Sequence, residues 1–233
     1  MASASPGYDA VLLDSYGTLV ELDDPFERLR AAVRRHLDAD IEPAEAEHAF
    51  RTEMAYYSDR CHLAADEERL AALRADCARV LLDELGIEAA ADAGERVLTD
   101  AVAFRVLPGV EPLLSGLARA GTATAVVSNW DFSLRRTLAG LGLDFDAIVT
   151  CGETGVRKPD PRIYRAVLDQ LGVEPDRALF VGDRVLEDVQ GPAALGMHTC
   201  LATYYRSDEG DQTLAGAIAK EPLDVVRVAR SLG

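Results

Sequence analysis

No excess of basic charge, no C-x-x-C cysteine pair, no long apolar run and no low-complexity tract occurs in these 233 residues. Each absence removes a class of function. With 24 basic against 40 acidic residues the net charge is −16, which makes nucleic acid or an anionic membrane surface a poor electrostatic partner. Cys61, Cys77, Cys151 and Cys200 are scattered, which argues for free thiols in a reducing compartment and against a disulfide frame or a zinc site. The apolar runs are only a few residues long, so no transmembrane helix is legible. The opening MASASPGYD has no basic stretch followed by an apolar one, and a cytoplasmic location is the expectation. What remains is a globular chain, 48% hydrophobic, able to bury one substantial core and a smaller second one. An acidic protein that handles an anion needs locally placed cations or a metal.

The runs AVLLD (10–14), TATAVVS (122–128), DAIVT (146–150), ALFVG (178–182) and HTCLA (198–202) are short, apolar and partly β-branched. They read as strands buried on both faces. Between them, VEPLLSGLARAG (110–121) has helical spacing and ends on a glycine at C′, DFSLRRTLAGLG (131–142) opens on Asp131 as an N-cap, and PDPRIYRAVLDQLG (159–172) is a third helix. Strands alternating with helices of this length imply a parallel sheet covered on both faces. The fold class is therefore α/β, a Rossmann-like doubly wound sheet.

From about 25 to 105 that rhythm stops. Phe26, Leu29, Val33 and Leu37 share one helical face, Phe50, Met54 and Tyr57 another, Leu70, Leu73, Cys77 and Leu81 a third. These stripes predict an inserted helical unit over 23–106, leaving 1–22 and 107–233 as the α/β core, with Pro108 and Gly109 marking re-entry. Each stripe is, in itself, a packing signal.

Open α/β sheets bind ligands at the carboxyl ends of their strands. Here the first strand ends at Asp14, the second at Ser128 and Asn129, and that over 178–182 at Asp183, with Asp188 five residues on and Lys158 just before the 159–172 helix. Taken singly, each has a plain alternative as a cap, a loop residue or a solvated charge. Jointly they converge on one crevice. Asp14 can act as a carboxylate nucleophile forming a covalent intermediate. Lys158 can hold that anion and substrate together, while the hydroxyls of Ser128 and Thr18 and the amides near Asn129 donate to substrate oxygens. Asp14, Asp183 and Asp188 repel one another unless a cation is present, and all-oxygen ligation suits Mg²⁺.

These residues carry a resemblance. DSYGTL is similar to the first motif of the haloacid dehalogenase-like (HAD) hydrolase superfamily, VVSN to its second, the lysine of VRKPDP to its third and GDRVLED to its fourth. The resemblance spans 8–20 and 107–205, with the insert where the family carries its type 1 helical cap. It implies hydrolysis of a small anionic substrate, with Asp14, the main-chain carbonyl of Tyr16 and a fourth-motif aspartate, Asp183, as Mg²⁺ ligands and Asp188 beside them.

Tyr16 departs from the phosphatase form of the motif, which carries a second aspartate two residues after the nucleophile as general acid. A phenol with a pKa of about 10 is a weak substitute. The pattern D-x-Y-G-T-L instead resembles the 2-haloacid dehalogenases, whose halide leaving group needs no proton, and AFRTEMAYY is similar to the dehalogenase segment whose arginine contacts the substrate carboxylate, which maps to Arg51. Against dehalogenation stands FVGDRVLED, the metal-binding phosphatase form. A Mg²⁺-dependent phosphatase is thus the expectation, a 2-haloacid dehalogenase the alternative, and a non-catalytic binding module on the same fold the third reading. The substrate and the oligomeric state are not legible.

Overall fold

Ala10–Leu13 (β1) is completely buried along its length, and its side chains alternate between two cores. Val11 and Leu13 join one apolar cluster, Ala10 and Leu12 another. Only a central strand with helices on both sides meets that demand. The computed structural model, which describes residues 7–206 and 210–231, places it so. A parallel six-stranded sheet runs in the order β5-β4-β1-β6-β7-β8, formed by Ala147–Thr150 (β5), Ala123–Ser128 (β4), β1, Ala178–Gly182 (β6), His198–Ala202 (β7) and Ala217–Ala219 (β8). The chain winds outward from β1 through β4 and β5, then crosses to β6, so β1 lies at the point where the order reverses. Helices α5 (Val110–Ala120) and α10 (Pro222–Arg230) cover one face, α8 (Pro161–Leu171) the other.

The insert consists of four helices, α1 (Pro25–Leu37), α2 (Pro43–Arg60), α3 (Glu67–Leu85) and α4 (Ala91–Ala101), with a single 3₁₀ turn over Cys61–Leu63. The three stripes anticipated from spacing meet in one apolar cluster of its own. At the crossings between insert and core, Val20–Leu22 (β2) and Phe104–Val106 (β3) pair as an antiparallel ribbon that the sequence reading did not anticipate. Phe104 packs against Trp130, their ring centroids 4.8 Å apart. A second contact joins the units: the Tyr57 hydroxyl donates to Asp131 at 2.7 Å, Phe132 N–H donates to the Ala64 carbonyl at 3.1 Å, and Cys61 packs into the sheet's own cluster, its sulfur 3.4 Å from that of Cys151.

That contact corrects one helix start. Helix α6 covers Leu134–Gly140, with Ser133 at its N-cap. Asp131 is engaged elsewhere, accepting from Tyr57 and from the Ser133 N–H at 2.7 Å. Between α6 and α8 the short helix α7 (Cys151–Thr154) follows β5, and α8 takes Asp160 as its cap, its side chain accepting from Arg162 N–H. No helix among the described residues is long and apolar enough to cross a membrane.

Candidate active site

Asp14 continues the β1 ladder, its N–H donating to the Val181 carbonyl at 2.8 Å, and the chain then turns back at once. The Ser15 carbonyl accepts from Leu19 and Val20 at 2.8 and 3.0 Å, and Gly17 sits at φ +83°. Glycine is required there twice over, by the left-handed backbone and because a Cβ would lie 2.4 Å from Asp183 Oδ2. From β6, Gly182 allows a similar approach, since a Cβ would fall 2.3 Å from Asp188. Asp188 reaches that position on a π-helical stretch over Val185–Gln190 that runs into α9 (Gly191–Ala193), with Tyr164 of α8 donating to the Glu187 carbonyl.

Lys158 is the centre's fixed cation. Its Nζ donates to Asp14 Oδ1 and to Asp188 Oδ1, both at 2.7 Å, and only 3% of the residue is exposed. Burial alone would pull this amine down, but the Asp14 and Asp188 charges outweigh it and hold it above the usual lysine range. The Ser128 hydroxyl donates to Asp14 Oδ1 at 3.1 Å and lies 2.6 Å from the Ser15 hydroxyl. Asp188 Oδ2 accepts from the Arg184 N–H at 2.9 Å. Burial, then the Asp14 charge, push Asp183 up to about 6, and burial takes Asp188 to about 7 against the pull of Lys158.

Two of three carboxylates share the lysine, and ligand oxygens of Asp14, Asp183 and Asp188 lie within 4.8 Å of one another. Apart from an ion pair with Arg206, neither oxygen of Asp183 has a hydrogen-bond donor, and the Thr18 hydroxyl is also buried without a partner. Buried polar atoms left in this state are costly. An oxygen-seeking divalent cation fits them by charge and by donor type.

Of the residues singled out from sequence, Asp14, Ser128, Lys158, Asp183 and Asp188 are brought together, with Thr18 and Tyr16 in the same turn. Asn129 is one step removed: its side chain accepts from the Lys158 N–H at 2.8 Å and donates to the Lys158 carbonyl at 3.2 Å, so it fixes the lysine's backbone. Arg51 is exposed on α2, paired with Glu47 and 5.7 Å from the Phe26 ring, and its contacts are with these two residues and none of the crevice groups. The Tyr16 hydroxyl lies 3.2 Å from that of Tyr205, and burial followed by Tyr205 pushes its phenol above the usual tyrosine range.

Sequence reasoning missed Ser15 and the segment Tyr204–Arg206. The Tyr204 hydroxyl donates to the Thr18 carbonyl at 2.9 Å, and Arg206 Nε forms an ion pair with Asp183 Oδ2. The same strand-end rule, applied to β7, points to them. A surface depression lined by Thr122, Thr124, Asp144 and Asp146 among others lies at the opposite ends of the strands.

A family model described as haloacid dehalogenase-like hydrolase matches residues 8–196. The mouse haloacid dehalogenase-like hydrolase domain-containing protein 3 is 42% identical over 120 residues, 51% of this chain and 47% of the relative. Phosphoserine phosphatase of Thermus thermophilus is 34% identical over 124 residues, 51% of this chain and 50% of the relative. The chain thus spans about half the length of these relatives. (S)-2-haloacid dehalogenase 4A of Burkholderia cepacia is 30% identical over 204 residues, 82% of this chain and 80% of the relative. Among solved structures, L-2-haloacid dehalogenase from Xanthobacter autotrophicus superposes with a TM-score of 0.72 at 20% identity, covering 97% of this chain and all of that one, a likeness of fold.

Proposed function

The chain belongs to the haloacid dehalogenase-like hydrolases, and from that premise we propose that it is a Mg²⁺-dependent phosphatase acting on a small phosphorylated metabolite. The observation that carries this reading is Asp183, a fully buried carboxylate that meets the Arg206 guanidinium but has no other donor, set beside two more carboxylates. A carboxylate substrate entering this crevice would meet three carboxylates held by two cations, Lys158 and Arg206, and so a net negative charge. Relatives named as phosphatases add support.

Asp14, Asp183, Asp188 and the Tyr16 carbonyl would hold the cation, which supplies charge neutralisation at the phosphoryl oxygens. Lys158 holds the Asp14 carboxylate in place by its 2.7 Å bond. An Asp14 oxygen attacks phosphorus, the bond to the leaving oxygen breaks, that oxygen takes a proton from solvent and departs as the alcohol, and an aspartyl phosphate forms. Ser128 and Thr18 hydroxyls donate to the phosphoryl oxygens. Water then attacks this phosphorus, restores the Asp14 carboxylate and releases inorganic phosphate. The helical insert serves as the cap that selects the substrate.

A second reading, 2-haloacid dehalogenation, is favoured by Tyr16 and by the likeness to a haloacid dehalogenase over 80% of its length. Parallel assays of phosphate and halide release, each with and without Mg²⁺, separate the two. Phosphate release that requires Mg²⁺ is expected; metal-independent halide release would install the alternative. Tyr16→Asp sharpens the comparison, because it restores a carboxyl group where the alcohol leaves, and general acid help is worth about 10²–10⁴-fold. Hydrolysis should rise most for esters with the most basic leaving alcohols. In a dehalogenase the same change would lower turnover.

A further inference from the structure

The positive charges around the centre are divided unequally. Lys158 bonds Asp14 and Asp188, and the cation that meets Asp183 is Arg206. Arg206 lies four residues beyond β7, half-buried, with its guanidinium carbon 5.6 Å from the Tyr16 ring centre and 5.9 Å from that of Tyr205. These two rings meet edge to face at 5.8 Å and 75°. Tyr204 is tied to the Asp14 turn through Thr18. The strap 203–206 therefore lies over the nucleophile's turn, and its arginine is aimed at the carboxylate that has no other donor.

Taking the carboxylate centre as a divalent-cation site, the reading on which this step rests, we propose that Arg206 is a built-in competitor for the cation, neutralising Asp183 in the metal-free protein and released from it when the centre is loaded. A guanidinium and a divalent cation a few ångströms apart repel each other, and both require the same carboxylate. By linkage, what Arg206 gains on Asp183 is lost from cation affinity, and the cation loosens the strap to the same extent.

Calorimetric titration of MgCl₂ into the wild type and into Arg206→Gln, Arg206→Ala and Arg206→Lys at one pH and ionic strength tests this. The glutamine and alanine variants should bind Mg²⁺ at least about tenfold more tightly, with lysine between them and the wild type. Millimolar methylguanidinium should weaken Mg²⁺ binding by Arg206→Ala back towards the wild-type value. Hydrogen exchange on the wild type needs no variant, and Mg²⁺ should speed exchange across 203–206. Equal or weaker Mg²⁺ affinity in Arg206→Gln, or unchanged exchange of the strap, overturns the competition while leaving the cation site standing. Failure of every form to bind Mg²⁺ overturns the cation reading and this inference with it.

Discussion

Asp14 is placed by its neighbours on both sides: the β1 ladder sets its backbone, and Ser128 and Lys158 set its carboxylate. Asp14→Asn keeps the size and changes the chemistry, so turnover should fall by more than about 10³-fold with the circular dichroism spectrum unchanged. A variant that keeps a tenth of wild-type kcat would remove Asp14 from the role of nucleophile. Glu53 makes a different prediction. It is 3% exposed in the insert, one carboxylate oxygen has no partner, and burial pushes it up to about 7. Unfolded glutamate titrates near 4.3, so between about 4.3 and 7 the folded chain holds a proton that the unfolded chain has lost. Stability from this group is therefore full below that window and declines as pH rises through it, by on the order of 3 kcal/mol at pH 8. Glu53→Gln should match the wild-type Tm most nearly at about pH 4, below the window, and exceed it at pH 8; parallel curves would show that Glu53 does not titrate there. At this scale the crevice was legible because strand ends and charged residues coincide at Asp14, Ser128, Lys158 and Asp183. Glu53 was not, because a lone glutamate on an amphipathic helix carries no mark of which way it faces.

Among the elements, β2 and β3 escaped the sequence reading because three residues each are too few for alternation to register. The long-range elements β1, β4 and β6 were legible for the opposite reason: every residue of β1 and β6, and the last four of β4, is apolar or small and buried. The start of α6 was misplaced because Asp131, a good cap by type, is drawn into a tertiary contact with Tyr57. That contact makes the junction two-sided, the ribbon on one side and the segment 57–64 on the other. Tyr57→Phe deletes a hydroxyl that donates to Asp131 and accepts from its N–H at 3.3 Å. Leaving that buried carboxylate without this donor should cost about 1–3 kcal/mol. The expected signature is a lower urea midpoint together with faster hydrogen exchange over 57–66. Faster exchange confined to the ribbon would assign the mechanical link to β2 and β3 alone.

Across the whole molecule, a net charge of −16 on 233 residues is a standing self-repulsion. Most ion pairs that oppose it are exposed, such as Arg51–Glu47, Arg96–Asp92 and Arg227–Glu221, and pairs of that kind contribute about 0–1 kcal/mol each. Salt screens both, but the repulsion is summed over the surface and acts at longer range. Raising KCl from about 0.01 M to about 1 M, where the screening length falls from about 30 Å to about 3 Å, should therefore raise Tm. A fall would mean that the pairs outweigh the net charge. The doubly wound architecture as a whole was legible from the alternation of strand and helix, whereas its far edge, β8 and α10, follows a stretch without periodicity and was not. One packing detail reaches further than its size. The chain has a single tryptophan, and Trp130 lies in the core against Phe104 of the ribbon. Its fluorescence is thus an optical gauge built into the joint between the two units: emission wavelength and quenching by a small solute read whether that joint is shut or sprung, in the unlabelled protein and in real time.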